Sequence, residues 1–251
     1  MSSDYELLFP IVCDPKDITT EVLKKSITFP IEVCNYIDRR WKEETAKNKS
    51  YLFNGKVASL VDFKGDLKSL HLVLQETDYK SFFVTNILND DVLAEQYFTN
   101  TLAICAVTIT SDRRVIIGKR SSILAEGEGL WHVPGGTCDE EVLAGSNPFD
   151  LIVRELKEEF NIDQSEMDNM KCIGLGKNLV YRKPELLGSI QLNVTAEKVM
   201  SKMSIASDFN EHTEIQFVPE TELGEFLKKN RISPIGRLCL ERFIDISQIR
   251  R

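Results

Sequence analysis

The chain has 251 residues, of which 42% are hydrophobic and 28% charged, and its formal net charge is −8. This length suits one large domain or one domain with a sizeable extension, and the apolar content allows a packed core, which excludes general disorder. The acidic surplus argues against nucleic acids and anionic membranes as partners, because both favour basic surfaces.

The compartment is indicated by features that the sequence lacks. No run approaches the ~20 apolar residues that a membrane helix needs, and the first residues do not have the basic and then apolar pattern of a secretory signal. The six cysteines are widely spaced, with no Cys-x-x-Cys pair, which favours free thiols over disulfides or a zinc site. We therefore expect a cytoplasmic protein, with the nucleus as the alternative, and make no prediction of its oligomeric state.

The first part of the chain predicts one helix and two strands. Apolar residues at helical spacing indicate a helix over 31–41, followed by a polar loop or frayed helix end at 43–50. Strand-like runs cover 56–63 and 69–75, and the turn-forming Lys64-Gly65-Asp66 lies between them.

The second part alternates between strands and helices. Residues 101–110 are apolar on both faces, as expected for a central strand. Further strands are predicted at 113–119, 190–194 and 214–218, and helices at 148–161, at 222–229 and from Ser233-Pro234 onward. This alternation of strands and helices predicts an α/β or α+β layered fold.

The helix at 148–161 carries three glutamates on one face. Glu155, Glu158 and Glu159 are spaced i, i+3 and i+4, and their like charges weaken an isolated helix. A divalent cation such as Mg²⁺ would offset this repulsion, because it prefers carboxylate oxygens. The alternative is an acidic helix face in solvent, which is common in an acidic chain.

The remaining positions of this helix predict how it is held. Ile152, Leu156 and Phe160 form an apolar stripe that would pack on a sheet. Asn147 is suited to the N-cap and Pro148 to the first helical position.

A glycine-rich segment precedes the helix. Trp131 and Val133 indicate a strand end, and Pro134-Gly135 predicts a type II turn. Gly135-Gly136 would let the backbone come close to a ligand or metal. Pro-Gly-Gly alone is usually only a tight turn, but a strand, this turn, a loop and a glutamate-rich helix in that order are far more specific.

In these residues the chain resembles the Nudix hydrolase superfamily, whose box reads G-x5-E-x7-R-E-U-x-E-E-x-G-U, with U aliphatic. Gly136 corresponds to the first glycine, and residues 154–159 match R-E-U-x-E-E at every fixed position. The loop between them is about four residues longer than in the pattern, so the early glutamate has no residue in register, although Glu140 and Glu141 lie near. Asn161 replaces the closing glycine, a mild change because Asn also tolerates a left-handed C-cap.

The resemblance implies a Nudix-type α/β/α sandwich with a mixed sheet and an N-terminal α+β extension. On this basis residues 1–95 would form a subdomain packed on the core, and 96–251 the hydrolase domain. It also implies that Glu155, Glu158 and Glu159 bind Mg²⁺ or Mn²⁺ together with a backbone carbonyl near Gly135 or Gly136. Glu155 and Glu158 would take part in catalysis, with Arg154 orienting the carboxylates.

The implied reaction is attack of water on a nucleoside diphosphate linked to another group. A later glutamate would act as the general base, for which we favour Glu211 slightly over Glu214. Lys119, Arg120 and Arg182 could meet phosphate. Each of these five residues has the alternative of being an ordinary surface charge.

A weaker resemblance concerns the substrate. Asn54-Gly55, residues 72–83, Thr85-Asn86 and 184–188 look like the eukaryotic Nudix branch that converts UDP-glucose or UDP-galactose to UMP and a sugar 1-phosphate. Tyr79, Phe53 and Tyr181 are candidates to stack on the base.

Alternatives to this substrate and to catalysis stay open. Residues 77–86 would equally form a helix start capped by Thr77 or Asp78. Other substrates include ADP-ribose, a dinucleotide polyphosphate or capped RNA, and another class is a Nudix module that binds nucleotide without catalysis. The isoprenoid diphosphate isomerases share the fold but need a catalytic cysteine, and neither Cys105 nor Cys138 has an assignable context.

Overall fold

The computed structural model describes residues 4–47, 52–88, 92–122, 125–208 and 211–249. Its strands are β1 (Tyr5–Phe9), β2 (Ile18–Leu23), β3 (Lys56–Gly65), β4 (Leu70–Asp78), β5 (Ala103–Ile109), β6 (Arg114–Arg120), β7 (Trp131–His132), β8 (Gly135–Thr137), β9 (Met167–Asn178), β10 (Lys183–Leu192) and β11 (His212–Pro219). Its helices are α1 (Ile31–Thr45), α2 (Tyr79–Phe82), α3 (Glu140–Leu143), α4 (Pro148–Phe160), α5 (Ala196–Met203), α6 (Leu223–Lys229) and α7 (Pro234–Ile249).

The larger of two sheets forms the centre of the fold. Its strand order is β1-β9-β10-β5-β6-β11, with β7 paired to β6 and β8 paired to β5. Strands β10 and β5 run parallel, and the other pairings in this sheet are antiparallel. The predicted mixed sheet is therefore confirmed, with the predicted central strand β5 in its interior.

Two helices cover opposite faces of this sheet. Ile104 packs in the same buried cluster as Leu156 of α4, whereas the adjacent Cys105 packs in the cluster that contains Leu238 and Cys239 of α7. Because neighbouring residues of a strand point to opposite faces, α4 and α7 lie on opposite sides of the sheet. The α/β/α sandwich is confirmed.

Helix α4 begins and ends as its sequence predicts. The Asn147 side chain accepts a hydrogen bond from the Phe149 N–H at 2.9 Å, and Asp150 accepts one from the Asn147 N–H at 3.1 Å. Asn161 ends the helix in the left-handed conformation, with φ of 54°. These caps fix the register in which the glutamates of α4 face the protein.

The smaller sheet has the order β2-β4-β3 and confirms the N-terminal α+β extension. Backbone hydrogen bonds tie β3 to the core: Ala58 N–H donates to the Cys138 carbonyl and Leu102 N–H to the Ala58 carbonyl, both at 2.8 Å. Strand β1, by contrast, is paired with β9 in the larger sheet. The division at residue 95 stays a prediction, because residues of the first segment contribute to both sheets.

Several elements differ from the sequence prediction. Strands β1, β2 and β9 were not predicted, and β10 is shifted from 190–194 to Lys183–Leu192. In β10 the charged side chains of Lys183 and Glu185 are both 5% exposed, so polarity concealed a strand that is fixed by pairing with β5 and β9. Helix α1 continues to Thr45, and residues 48–50 of the predicted loop lie outside the described residues.

Two further observations concern the membrane and the thiols. Among the described residues, no helix combines the length and the apolar character required to traverse a bilayer. All six cysteines are free thiols, and five of them are buried.

We predict that Asn147→Ala lowers the free energy of unfolding by about 1–2 kcal/mol, because it removes the cap of α4 and a hydrogen bond of 2.8 Å to the Pro15 carbonyl. Urea unfolding followed by circular dichroism measures the change. Asn169→Ala, at an exposed strand position, is the matched control and should stay within about 0.5 kcal/mol of the wild type. Equal effects of the two substitutions would contradict the capping role.

Candidate active site

Helix α4 brings two of its three predicted glutamates against the interior. Glu159 is only 3% exposed, and the Glu155 carboxylate lies against Gly136. Burial, followed by the neighbouring charge of Glu159, raises the pKa of Glu155 well above its usual range. Burial and then Glu211 do the same to the pKa of Glu159. Glu158 is half-buried, and burial also raises its pKa.

The glycines of strand β8 leave the space that the Glu155 carboxylate occupies. A Cβ atom on Gly136 would overlap the Glu155 carboxylate, and one on Gly135 would lie 2.6 Å from the Ile104 carbonyl oxygen. The predicted type II turn at Pro134-Gly135 is wrong: Gly135 does not have a positive φ and instead pairs with Cys105 in the sheet. The glycines are needed for close approach, not for a left-handed backbone.

Arg154 joins α4 to the loop that precedes it. Its guanidinium is paired with Asp139 and, at 2.5 Å, with Glu141. Asp139 also caps the short helix α3 by accepting the Glu141 N–H at 3.0 Å. The lengthened loop of the box thus folds as a helical turn held by Arg154, while Glu140 is exposed at its start. The recorded ion pairs of Arg154 go to this loop, and its predicted role in orienting the α4 carboxylates stays a prediction.

The chain segment that enters β11 adds two groups to the same place. Burial raises the pKa of Glu211, while Arg120 and His212 oppose the shift. Nε2 of His212 lies 2.9 Å from a Glu159 carboxylate oxygen. The centroid of the His212 ring lies 5.3 Å from the centroid of the Phe160 ring. Glu214, the second candidate base, is exposed and accepts a hydrogen bond from Gln216 at 2.7 Å.

His212 is a residue that sequence reasoning missed. Burial lowers its pKa to about 4, so the ring is neutral near neutral pH and can donate from Nε2 to Glu159. Its Nδ1 is buried without a hydrogen-bond partner among the described residues. The only sequence signal was the rarity of histidine, since the chain has three.

The donor set fits a hard divalent cation. Glu155, Glu158, Glu159 and Glu211 supply only oxygen ligands, as Mg²⁺ and Mn²⁺ prefer, and their raised pKa values reflect burial and mutual repulsion that a cation would offset. Among the described residues these oxygens do not form a group of three within 4.8 Å of one another. Holding one ion would therefore require rotation of the long glutamate side chains.

A cavity of about 490 Å³ opens beside this carboxylate group. Gly135, Gly136 and Arg120 are among the residues that line it. Cavities of this size are typical of small-molecule sites. The four glutamates do not themselves line the cavity, but two lining residues connect it to them: Gly136 contacts Glu155, and the charge of Arg120 acts on Glu159 and Glu211.

The four residues predicted to bind substrate are not brought together. Arg120 lines the cavity, and its Nε donates to the Glu126 carbonyl at 2.8 Å. Lys119 lies over the Trp131 ring, with Nζ 5.8 Å from the ring centroid. Arg182 lies 4.1 Å from the centroid of the Phe98 ring and pairs with Glu95 at 3.1 Å, while Tyr79 packs among Trp41, Phe82 and Phe83.

The stacking candidates are also separated. Tyr181 lines the cavity, whereas Phe53 is 79% exposed and is not among its lining residues. Asp78 caps α2 by accepting the Ser81 N–H at 2.7 Å, which confirms the helix-start interpretation of residues 77–86.

The sequence did not indicate that Lys183 and Glu185 of β10 are buried, because charged residues are usually exposed. Lys183 Nζ is 2.8 Å from a Glu126 carboxylate oxygen and 3.3 Å from Thr137 Oγ1. Burial raises the pKa of Glu185 to about 7, against the opposing effect of Lys183. Both residues line the cavity, so its wall is charged as well as apolar.

The chain is similar in sequence and in fold to known proteins. The family model described as NUDIX domain matches residues 99–239. Nudix hydrolase 9 of Arabidopsis thaliana is 24% identical over 264 residues, covering 88% of this chain and 85% of that protein. Two solved structures are similar at low identity. DR0079 from Deinococcus radiodurans has a TM-score of 0.46 at 12% identity, covering 74% of this chain and 96% of its own. The MutT protein from Methanosarcina mazei Go1 has a TM-score of 0.41 at 17% identity, covering 59% of this chain and 95% of its own.

The match to the family model spans more than half of the 251 residues. It includes the glycines of β8, helix α4 and Glu211, the same features that the structure brings together. The chain therefore belongs to the Nudix family.

Proposed function

We propose that this Nudix hydrolase cleaves the diphosphate of a nucleoside diphosphate linked to another group, with a UDP-sugar as substrate and UMP and a sugar 1-phosphate as products. The observation that carries the proposal is the group of Glu155, Glu158, Glu159 and Glu211 beside a cavity large enough for a nucleotide. Such a group suits phosphoryl transfer, in which positioning and electrostatics supply most of the catalysis.

In this proposal the α4 glutamates hold Mg²⁺ or Mn²⁺ together with the Gly136 carbonyl. A bound cation would neutralise the diphosphate and lower the pKa of attacking water. Glu155 is kept close to the β8 backbone because no side chain intervenes at Gly136. His212 positions the carboxylate of Glu159 by donating to it from Nε2.

Glu211 is the proposed general base. Burial, with the acidic groups Asp208 and Glu158 nearby, raises its pKa, which makes its carboxylate a stronger proton acceptor. Glu214 lacks this support, since it is exposed and its carboxylate is bonded to Gln216.

Arg120 is the residue best supported for binding phosphate, because it lines the cavity and its positive charge opposes the raised pKa values of Glu159 and Glu211. Lys119, Arg182 and Tyr79 lie outside the cavity lining, so their roles stay predictions. The UDP-sugar rests on the sequence resemblance of residues 54–86 and 184–188. ADP-ribose is the alternative substrate, and a module that binds nucleotide without turnover is the alternative function.

Incubation with Mg²⁺ and UDP-glucose, UDP-galactose or ADP-ribose, followed by identification of products, tests the reaction. We expect UMP and a sugar 1-phosphate from the UDP-sugars. If AMP is released from ADP-ribose and no UMP is released from either UDP-sugar, ADP-ribose is the substrate and the UDP-sugar proposal is wrong. Binding of these compounds without release of any nucleoside monophosphate would favour the non-catalytic module.

We predict that Glu158→Gln and Glu159→Gln each lower turnover by about two orders of magnitude or more, because each removes a metal-binding charge. Glu159→Gln should also unfold at a higher urea concentration in metal-free buffer at neutral pH. A carboxyl whose pKa is raised by folding destabilises the fold above its unfolded pKa, and Gln removes that charge while still accepting from His212. The exposed Glu214→Gln is the control, and unchanged turnover in both α4 variants would remove the metal assignment.

Gly136→Ala should reduce turnover by about 100-fold, because its Cβ displaces the Glu155 carboxylate from its place against β8. Gly224→Ala is the matched control: the added Cβ meets nothing within 4 Å there, so activity should be unchanged. Steady-state kinetics of the two variants measure the effect, and equal activities would contradict the steric role of Gly136.

A further inference from the structure

A second group of potential ligands lies at the wall of the same cavity, which His132 and Glu185 line while Cys105 is fully buried behind them. Cys105 of β5, His132 of β7 and Glu185 of β10 each offer one ligand atom, and these three atoms lie within 4.8 Å of one another. All three residues are buried, with exposed fractions of 0%, 8% and 5%. They are far apart in sequence, which is why cysteine spacing indicated no metal site.

Glu185 is the member whose surroundings call for a ligand. Its side chain is 95% buried and lines the cavity, yet its carboxylate has no hydrogen bond to any described residue. The neighbouring Lys183 is committed to Glu126 at 2.8 Å and to Thr137 at 3.3 Å. Because this carboxylate faces the cavity and is otherwise poorly solvated, a cation bound from the cavity would stabilise its charge.

His132 is held in an orientation suited to ligation. Its Nδ1 lies 2.6 Å from Ser233 Oγ, and Ser233 Oγ also accepts the Gly236 N–H at 3.2 Å at the start of α7. With Nδ1–H donating to Ser233, the other ring nitrogen, Nε2, carries a lone pair. Metal-binding histidines usually donate their second nitrogen in this way, which fixes the tautomer and the ring orientation.

We propose that Cys105, His132 and Glu185 bind Zn²⁺ or a similar transition-metal ion, with an open coordination position facing the cavity. Sulfur, nitrogen and oxygen donors suit Zn²⁺, whereas Mg²⁺ takes oxygen ligands only. Three protein ligands and one open position are the arrangement of catalytic zinc sites. With bonds of about 2.0–2.3 Å, the three side chains would draw together by up to roughly 1 Å.

The charge balance suits the buried position. On binding, the Cys105 thiol releases its proton to solvent, and one thiolate and one carboxylate neutralise the two positive charges of the ion. The Lys183–Glu126 pair beside the site is already balanced. The site thus adds no net charge to the cavity wall and would present a Lewis acid to whatever molecule the cavity holds.

Cobalt(II) titration of the intact, reduced protein tests this proposal without relying on activity. A thiolate bound to Co²⁺ produces sulfur-to-metal charge-transfer absorption, which the all-oxygen α4 site cannot produce. We expect this absorption to saturate at about one Co²⁺ per chain and to disappear when Zn²⁺ displaces the cobalt. A folded wild-type protein without charge-transfer absorption would overturn the proposal.

Matched variants assign the ligands. Cys105→Ser should abolish the charge-transfer absorption, and Glu185→Gln and His132→Asn should weaken Co²⁺ binding at least about 10-fold. Cys172→Ser, which changes a buried thiol outside the group, should leave the spectrum unchanged. Glu158→Gln should also leave it unchanged, so the outcome is separate from the proposed hydrolase function.

The Cys105 variant must remain folded for its spectrum to identify the ligand. Circular dichroism checks that each variant is folded, and Cys105→Ala replaces Cys105→Ser if the serine variant does not fold. Charge-transfer absorption that persists in the Cys105 variant overturns the site. This includes the case in which the neighbouring Cys239, whose Sγ lies 3.9 Å from the Cys105 carbonyl oxygen, proves to be the ligand.

Discussion

The close contact between α4 and β8 is the constraint on which the site depends. Glu155 can place its carboxylate against the strand only because Gly136 has no side chain, and β8 can pair tightly with β5 only because Gly135 has none. The caps of α4 hold the helix in register at both ends. A small displacement of this helix would move its three carboxylates, Glu155, Glu158 and Glu159, together relative to Glu211, so the packing of α4 sets the geometry of the site.

The same contact confines negative charge in a poorly solvated place. The pKa values of Glu155, Glu159 and Glu211 are raised chiefly by burial and further by neighbouring carboxylates, which means that the fold holds these groups at some cost in stability. Arg120 and His212 offset part of this cost. Residues that destabilise the fold in this manner are concentrated at functional sites, where a bound ligand recovers the energy.

The charged residues that line the cavity are balanced in a different way. There Lys183 and Glu126 neutralise each other, whereas Glu185 is left without a hydrogen-bond partner among the described residues. Its strand was recognised only in part from sequence, because alternation of charged residues resembles an exposed segment. Pairing of β10 between β5 and β9 overrides that preference and buries the charges.

Local patterns in the sequence determined the central strand, the carboxylate helix with Asn147 and Asn161 as its caps, a layered α/β or α+β fold, and the motif through which the Nudix resemblance implied an α/β/α sandwich. These features depend on residues near one another in the chain, where helical periodicity, capping and motif spacing act directly. Tertiary structure alone decided which distant residues meet: His212 with Glu159, Arg154 with the loop of Asp139, and Cys105 with His132 and Glu185. These contacts depend on strand order and register, which are set by the packing of the whole chain and cannot be predicted from the spacing of neighbouring residues.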